Sequence, residues 1–240
     1  MFVREWGSGE RYVLLLHGLS GSSLIWHNLG EDLAILGYHV LAPDLSGHGL
    51  SERDATGYSV EKWSNEVIAL QLPTPELLIG HSIGGLIAAK ISDEIQADKL
   101  ILLDPVLRLP KKGFLLWGVQ YGFSHAMRRR LRLKLVNKSW DVRDAEIERI
   151  NLSRWDWQTS KALKVNKKEI FGLFNRASPT LLIRAKRSYI VPASFAKRNL
   201  HESIQHFYFQ KAGHNIHCES YNDLFALITN FISINEKVPA

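Results

Sequence analysis

Residues Gly80-His81-Ser82-Ile83-Gly84 constrain this chain more than any other stretch. They stand between Leu77-Leu78-Ile79, a short apolar run preceded by Pro73 and Pro75, and Gly85-Leu86-Ile87-Ala88-Ala89-Lys90-Ile91, which holds helix formers and no breaker after its first residue. The first reads as a buried strand and the second as a helix. The chain must therefore reverse at Ser82 on a sharp turn. A serine on so tight a turn is strained, and the residues two before and two after it must be small to let strand and helix pass. Gly80 and Gly84 meet that demand, and the turn puts a potentially nucleophilic hydroxyl in view.

The same alternation extends along the chain. Tyr12-Val13-Leu14-Leu15-Leu16 reads as a buried strand, followed by Leu24, Trp26, Leu29, Leu33 and Leu36 at helical spacing until Gly37 ends the run. His39-Val40-Leu41-Ala42 is the next strand, residues 43–57 are a turn-rich loop, and Val60, Trp63, Val67 and Leu70 mark a helix. Leu100-Ile101-Leu102-Leu103 is a further strand. After Asp104-Pro105 the rhythm stops, and 106–178 holds aromatic residues, basic clusters and helix-like pieces such as residues 144–150. Strands resume at 180–184 and 206–209, with helices at 193–199 and 221–234. Strands alternating with helices imply an α/β fold with a mostly parallel sheet. The expected organisation is one core, 1–105 and 179–240, with 106–178 inserted as a helical cap.

Composition bounds the partners. At 240 residues the chain can bury a full core, and no stretch approaches the apolar length of a membrane span. The N-terminus turns polar at once, so no signal peptide is expected. Cys218 is the single cysteine, which excludes an internal disulfide and fits a reducing, cytoplasmic setting. The net charge of +6 is uneven: 106–178 carries 17 Lys and Arg against 6 Asp and Glu, a local +11, while the remainder carries 13 against 18, or −5. A solvated helical surface is one reading of this basic segment. Attraction of an anionic substrate, carrier or lipid head group is the other. The run Arg128-Arg129-Arg130-Leu131-Arg132-Leu133-Lys134 sits in no recognisable nucleic-acid fold, so no nucleic-acid partner is expected. No phosphate loop, dinucleotide fingerprint or metal-ligand spacing occurs, so neither cofactor nor metal is expected.

Three further motifs join the serine turn in a telling order. Leu15-Leu16-His17-Gly18-Leu19 ends a strand, Ala42-Pro43-Asp44-Leu45-Ser46-Gly47-His48-Gly49-Leu50-Ser51 forms a P-D-x-x-G-H-G-x-S loop, and Ala212-Gly213-His214-Asn215 comes late in the chain. With these landmarks the sequence resembles the α/β-hydrolase family over nearly its whole length, the cap excepted. The resemblance implies Ser82 as nucleophile and His214 as its base. It also implies backbone N–H groups of Leu19 and Ile83 as the oxyanion hole. His17, His48 and His81 fall in motifs that the family uses structurally, His217 is expected to shape the loop around His214, and Asp44 to organise its own loop.

The acid departs from the commonest family pattern. That pattern has an aspartate in a turn after the strand at 180–184, where this chain reads Ala185-Lys186-Arg187-Ser188. A serine cannot stabilise an imidazolium as a carboxylate does. A variant of the fold takes the acid from the preceding strand's end, here Asp104, with a Ser-His diad or another acid as alternatives. Ser82 argues against the dehalogenases and epoxide hydrolases of the family, which use aspartate as nucleophile. The resemblance implies a cofactor-free serine hydrolase of carboxylesterase type acting on a small acyl substrate, anionic or carrier-linked under the second reading of the basic segment. Trp117 and Tyr121 are candidate substrate contacts in the cap. A C–C bond hydrolase, a thioesterase, or a hydrolase-fold ligand-binding protein with little turnover are the competing expectations.

Overall fold

The computed structural model describes residues 1–107, 140–162, 178–186, 188, 190–191 and 202–234. Among these, strands β1 (Val3–Trp6), β2 (Arg11–Leu16), β3 (Tyr38–Pro43), β4 (Leu77–His81), β5 (Lys99–Leu103), β6 (Thr180–Ala185) and β7 (Ile204–Phe209) form one sheet in the order β1-β3-β2-β4-β5-β6-β7. Only β1, at the edge, runs antiparallel to its neighbour. The helices are α1 (His27–Ile35), α2 (Val60–Ile68), α3 (Ile83–Ile91), α4 (Val142–Arg154), α5 (Ile216–Glu219) and α6 (Tyr221–Ile234). This is the expected α/β sheet flanked by helices.

The central strands carry continuous apolar runs, Val13–Leu16, Leu77–Ile79, Leu100–Leu103 and Leu181–Ile183, because both faces are covered. Val13, Leu15, Ile79 and Leu103 turn toward Leu29 and Leu33 of α1 and Ile228 and Phe231 of α6. Leu14, Leu16, Leu78 and Leu102 turn the other way, onto Trp63 of α2 and Ile87 of α3. Each such leucine, fully buried, contributes about 2 kcal/mol of transfer free energy. The register decides where the loops meet: Leu16 pairs with Gly80, His81 with Leu103, and Leu103 with Ile183. The carboxyl ends of β2, β4, β5 and β6 therefore finish nearly level, where open parallel sheets bind ligands.

Helix α4 lies within the segment anticipated as a cap. Its start is set by Asp141, whose carboxylate accepts the Asp144 N–H at 2.6 Å. Polar contacts seat this part of the chain on the core. Ser22 Oγ donates to Asn151 Oδ1 at 2.6 Å, Arg143 Nη2 to Glu31 Oε1 at 2.8 Å, and Tyr58 Oη to Asp156 Oδ2 at 2.9 Å. Residues 108–139 and 163–177, with Trp117, Tyr121 and the basic run at 128–134, lie outside the described residues, as does the helix expected at 193–199. We propose 106–178 as the bounds of the cap.

One contact under α4 gives a pH-dependent prediction. His27 Nε2 stands 3.7 Å from Asp144 Oδ1, both side chains almost wholly buried. Burial, with Asp141 adding to it, pushes Asp144 up to about 6; burial and then Arg143 hold His27 below its ordinary value. Near neutrality the site thus holds a carboxylate at some cost beside an uncharged imidazole. A carboxyl raised in the fold favours the folded state most when protonated, and that contribution is lost as pH rises from 3.8 through about 6. Asp144→Asn is expected to melt a few degrees above wild type near pH ~7.5, with the gap shrinking toward pH ~4. Calorimetry at both pH values measures this, and a gap that did not change would mean that Asp144 ionises freely in the fold.

Candidate active site

Strand β4 stops at His81 and α3 starts at Ile83, leaving Ser82 alone on the turn with φ 56° and ψ −117°. A positive φ is strained for a residue with a side chain, and persists only where surrounding bonds over-determine it. Here Ser82 N–H donates to Leu103 O at 3.0 Å, while its carbonyl accepts from Gly85 N at 3.1 Å and Val106 N at 3.0 Å. The flanking glycines are required by contact. A Cβ on Gly84 would collide with the carbonyls of Leu16 and His17, and one on Gly80 with the backbone of Gly84.

Since His81 pairs with Leu103, Ser82 and Asp104 leave adjacent strands at the same level. Asp104 also has a positive φ, 42°, and is fully buried. Both of its oxygens are engaged. Oδ1 accepts the Ala185 N–H at 3.1 Å, and Oδ2 lies 2.7 Å from His214 Nδ1. His214 Nε2 lies in turn 3.0 Å from Ser82 Oγ. The His214 side chain is 39% exposed, so a ligand can approach the pair from solvent. Ser188 takes no part in this chain of bonds: its Oγ accepts from Val191 N at 3.0 Å and Ile190 N at 3.3 Å, closing the turn after β6.

The loop after β2 packs directly on the serine. Gly21 N–H donates to Gly18 O at 3.0 Å and Ser20 has φ 63°, which makes 18–21 a tight turn with Leu19 at its first corner. A Cβ on Gly18 would stand 3.0 Å from Ser82 Cβ. Among the described residues nothing accepts from the backbone N–H of Leu19 or of Ile83. His17 braces this loop, donating from Nδ1 to Gly18 O at 2.8 Å and accepting Leu45 N–H on Nε2 at 3.0 Å. Burial lowers its pKa, against the pull of Asp44. Asp44 accepts from Ser23 N at 2.6 Å and Leu50 N at 2.8 Å, the loop-organising geometry expected of it.

Behind His214 lie two more imidazoles. The ring of His81 stands 4.7 Å from that of His214 and 4.7 Å from that of His217. Burial first, and then neighbouring histidines, push His217 down to about 3 and hold His81 well below its ordinary value. Both rings are therefore uncharged near neutrality. The loop before α5 has a clamp that sequence reasoning missed. Glu219 Oε2 accepts Gly213 N–H at 2.7 Å, and nothing local in Ala212-Gly213-His214 signals an acid six residues on. Asn151, bonded to Ser22 from 129 positions away, was equally silent.

Among the described residues no group of His, Cys, Asp and Glu is placed to hold a metal ion, and no helix is long and apolar enough to cross a membrane. A surface cleft of about 630 Å³ lined by Phe2, Ser46, Leu50, Arg53 and Leu70 includes none of Ser82, Asp104 or His214.

Comparison with known proteins agrees with this fold. Residues 13–226 match the family described as "Alpha/beta hydrolase family", and the chain belongs to it. It is similar to "Lipase LipV" of Mycobacterium tuberculosis, 34% identical over 117 residues, covering 45% of this chain and 43% of that protein. It is also similar to "Pimeloyl-[acyl-carrier protein] methyl ester esterase" of Aeromonas salmonicida, 37% identical over 91 residues, covering 38% of this chain and 35% of that protein. The match thus spans less than half the length of either relative. Among solved structures, a putative aryl esterase from Burkholderia cenocepacia superposes with a TM-score of 0.80 at 20% identity, over 97% of this chain and 93% of that one. At that identity the likeness concerns the fold.

Proposed function

We propose that the protein is a serine hydrolase that cleaves a carboxylic ester through an acyl-enzyme on Ser82. One observation carries the reading: Asp104 Oδ2, His214 and Ser82 Oγ form a continuous chain, with steps of 2.7 Å and 3.0 Å, opening to solvent at His214. In the proposed reaction His214 Nε2 takes the Ser82 proton as Oγ bonds to the acyl carbon, while Asp104 holds the opposite nitrogen protonated. The N–H groups of Ile83 and Leu19 receive the developing oxyanion, each worth about 3 to 4 kcal/mol to the transition state. His214 then gives its proton to the departing alkoxide, which leaves as the alcohol. Water, deprotonated by the same nitrogen, releases the acid and restores Ser82.

Nitrophenyl esters of graded chain length test this reading. Saturable hydrolysis well above buffer, lost in Ser82→Ala, is expected. A well-folded protein that turns over no ester in the series would favour a ligand-binding role instead.

The relative named for a carrier-linked methyl ester and the +11 of segment 106–178 favour an anionic or carrier-borne acyl substrate. Such steering is screened within about 10 Å at ~0.1 M salt. kcat/KM for an anionic acyl substrate is expected to fall severalfold as salt rises, a neutral short ester changing little. The triple replacement Arg129→Glu, Arg130→Glu, Arg132→Glu should reproduce the fall at low salt. Equal salt responses for the two substrates would reduce the basic segment to a solvated surface.

A further inference from the structure

His81 occupies the last position of β4, in alternation with Leu77 and Ile79, on the face that packs against α1 and α6. Only 4% of it is exposed. Packing alone would be served there by another aliphatic side chain. An imidazole is costlier, because Nδ1 is buried with no hydrogen-bond partner among the described residues. What the ring adds is one directed donor: Nε2–H bonds to the carbonyl of His214 at 3.0 Å, across 133 residues of sequence.

That bond reaches the backbone of a residue whose side chain burial does not hold. The His214 side chain is more than one-third exposed, held by Asp104 Oδ2 at 2.7 Å and Ser82 Oγ at 3.0 Å and carried on a loop. The loop is gripped twice. Glu219 accepts the N–H of Gly213, and His81 donates to the next carbonyl. The other edge of the His81 ring faces the loop after β2, where a Cβ on Gly18 would stand 2.9 Å from Nδ1. One side chain therefore spans the serine turn, the His214 loop and the loop that carries Leu19.

Resting on the serine-hydrolase reading, we propose that His81 is a positioning residue: through its bond to the His214 carbonyl it sets the placement of the His214 ring against Ser82 Oγ. It touches neither substrate nor the reacting atoms. The titratable groups facing it are His214, His217 and His17, and burial ahead of their charges keeps it neutral, so its N–H is offered without a cation beside the base.

The test uses the full chain and a fluorophosphonate, whose rate of attack on Ser82 reports the Ser82–His214 pair, together with steady-state ester hydrolysis. His81→Leu removes the donor. His81→Gln restores one, because a glutamine amide nitrogen can reach the place of imidazole Nε2, whereas His81→Asn is polar but too short. A misplacement near 1 Å costs up to about 10²-fold. His81→Leu and His81→Asn are accordingly expected to lose 10- to 100-fold, as a rough range, in both inactivation rate and kcat, with KM nearly unchanged. His81→Gln should recover to within a few-fold of wild type. If His81→Leu does not fold, the Gln and Asn pair decides alone. Wild-type rates in Leu and Asn, or Gln no faster than Asn, overturn the proposal while leaving the hydrolase reading intact. A wild type that the probe never modifies overturns that reading first, and this proposal with it.

Discussion

Replacing Ser82 by alanine is expected to lower ester turnover by about 10⁶-fold, the scale on which loss of a serine nucleophile acts in a comparable constellation. The fold should not suffer. Backbone atoms hold the turn, through Leu103 O, Gly85 N and Val106 N, and the hydroxyl's hydrogen-bond partner among the described residues is His214. Alanine accepts the same positive φ at no greater steric cost than serine, since both carry a Cβ. Steady-state turnover with a melting curve separates the effects. A variant that retains a few percent of activity with an unchanged melting temperature would move the nucleophile elsewhere.

Asp104→Asn is expected to cost 10³- to 10⁴-fold, taking as guide the roughly 10⁴ lost by the equivalent change in a serine protease. The direction follows from the surroundings of the side chain. Ala185 N–H donates to Oδ1, so an asparagine must keep its carbonyl oxygen there and turn its amide nitrogen toward His214. Two donors cannot face one another, so His214 Nδ1 becomes the acceptor and its proton moves to Nε2, against Ser82 Oγ. In that tautomer His214 cannot take the serine proton. Ser188→Ala should change turnover less than about twofold, because among the described residues its hydroxyl accepts turn N–H groups and does not reach His214. Comparing kcat for the two variants measures the assignment. A reversed order, with Ser188→Ala the damaging change, would contradict it.

The fold is legible in this chain because its central strands are buried on both faces. Leu14 and Leu15 face opposite helical layers yet must both be apolar, and such a run stands out in the sequence. Strand β1 escaped that logic: Val3–Trp6 is a short, half-exposed edge strand, and its antiparallel pairing with β3 has no hydrophobic signature. The serine turn was legible because steric exclusion at Gly80 and Gly84 acts within five residues. Asp104 could be reached only indirectly, from Ser188 standing at the other acid position, since its approach to His214 depends on sheet order and on a left-handed backbone that no local signal announces. The bond from His81 to His214, and those from α4 to Ser22 and Glu31, join residues more than a hundred positions apart. Periodicity and spacing carry no trace of contacts like these. Trp117 and Tyr121, chosen for aromatic character alone, fall outside the described residues.

The central claim is that His214, held by Asp104, makes Ser82 a nucleophile. Intact mass after exposure to a fluorophosphonate, followed by mapping of the modified peptide, tests it most directly. A single stoichiometric adduct on Ser82 is expected, absent from Ser82→Ala and formed far more slowly in Asp104→Asn. An unmodified wild type that is well folded, or an adduct on any other side chain, would contradict it.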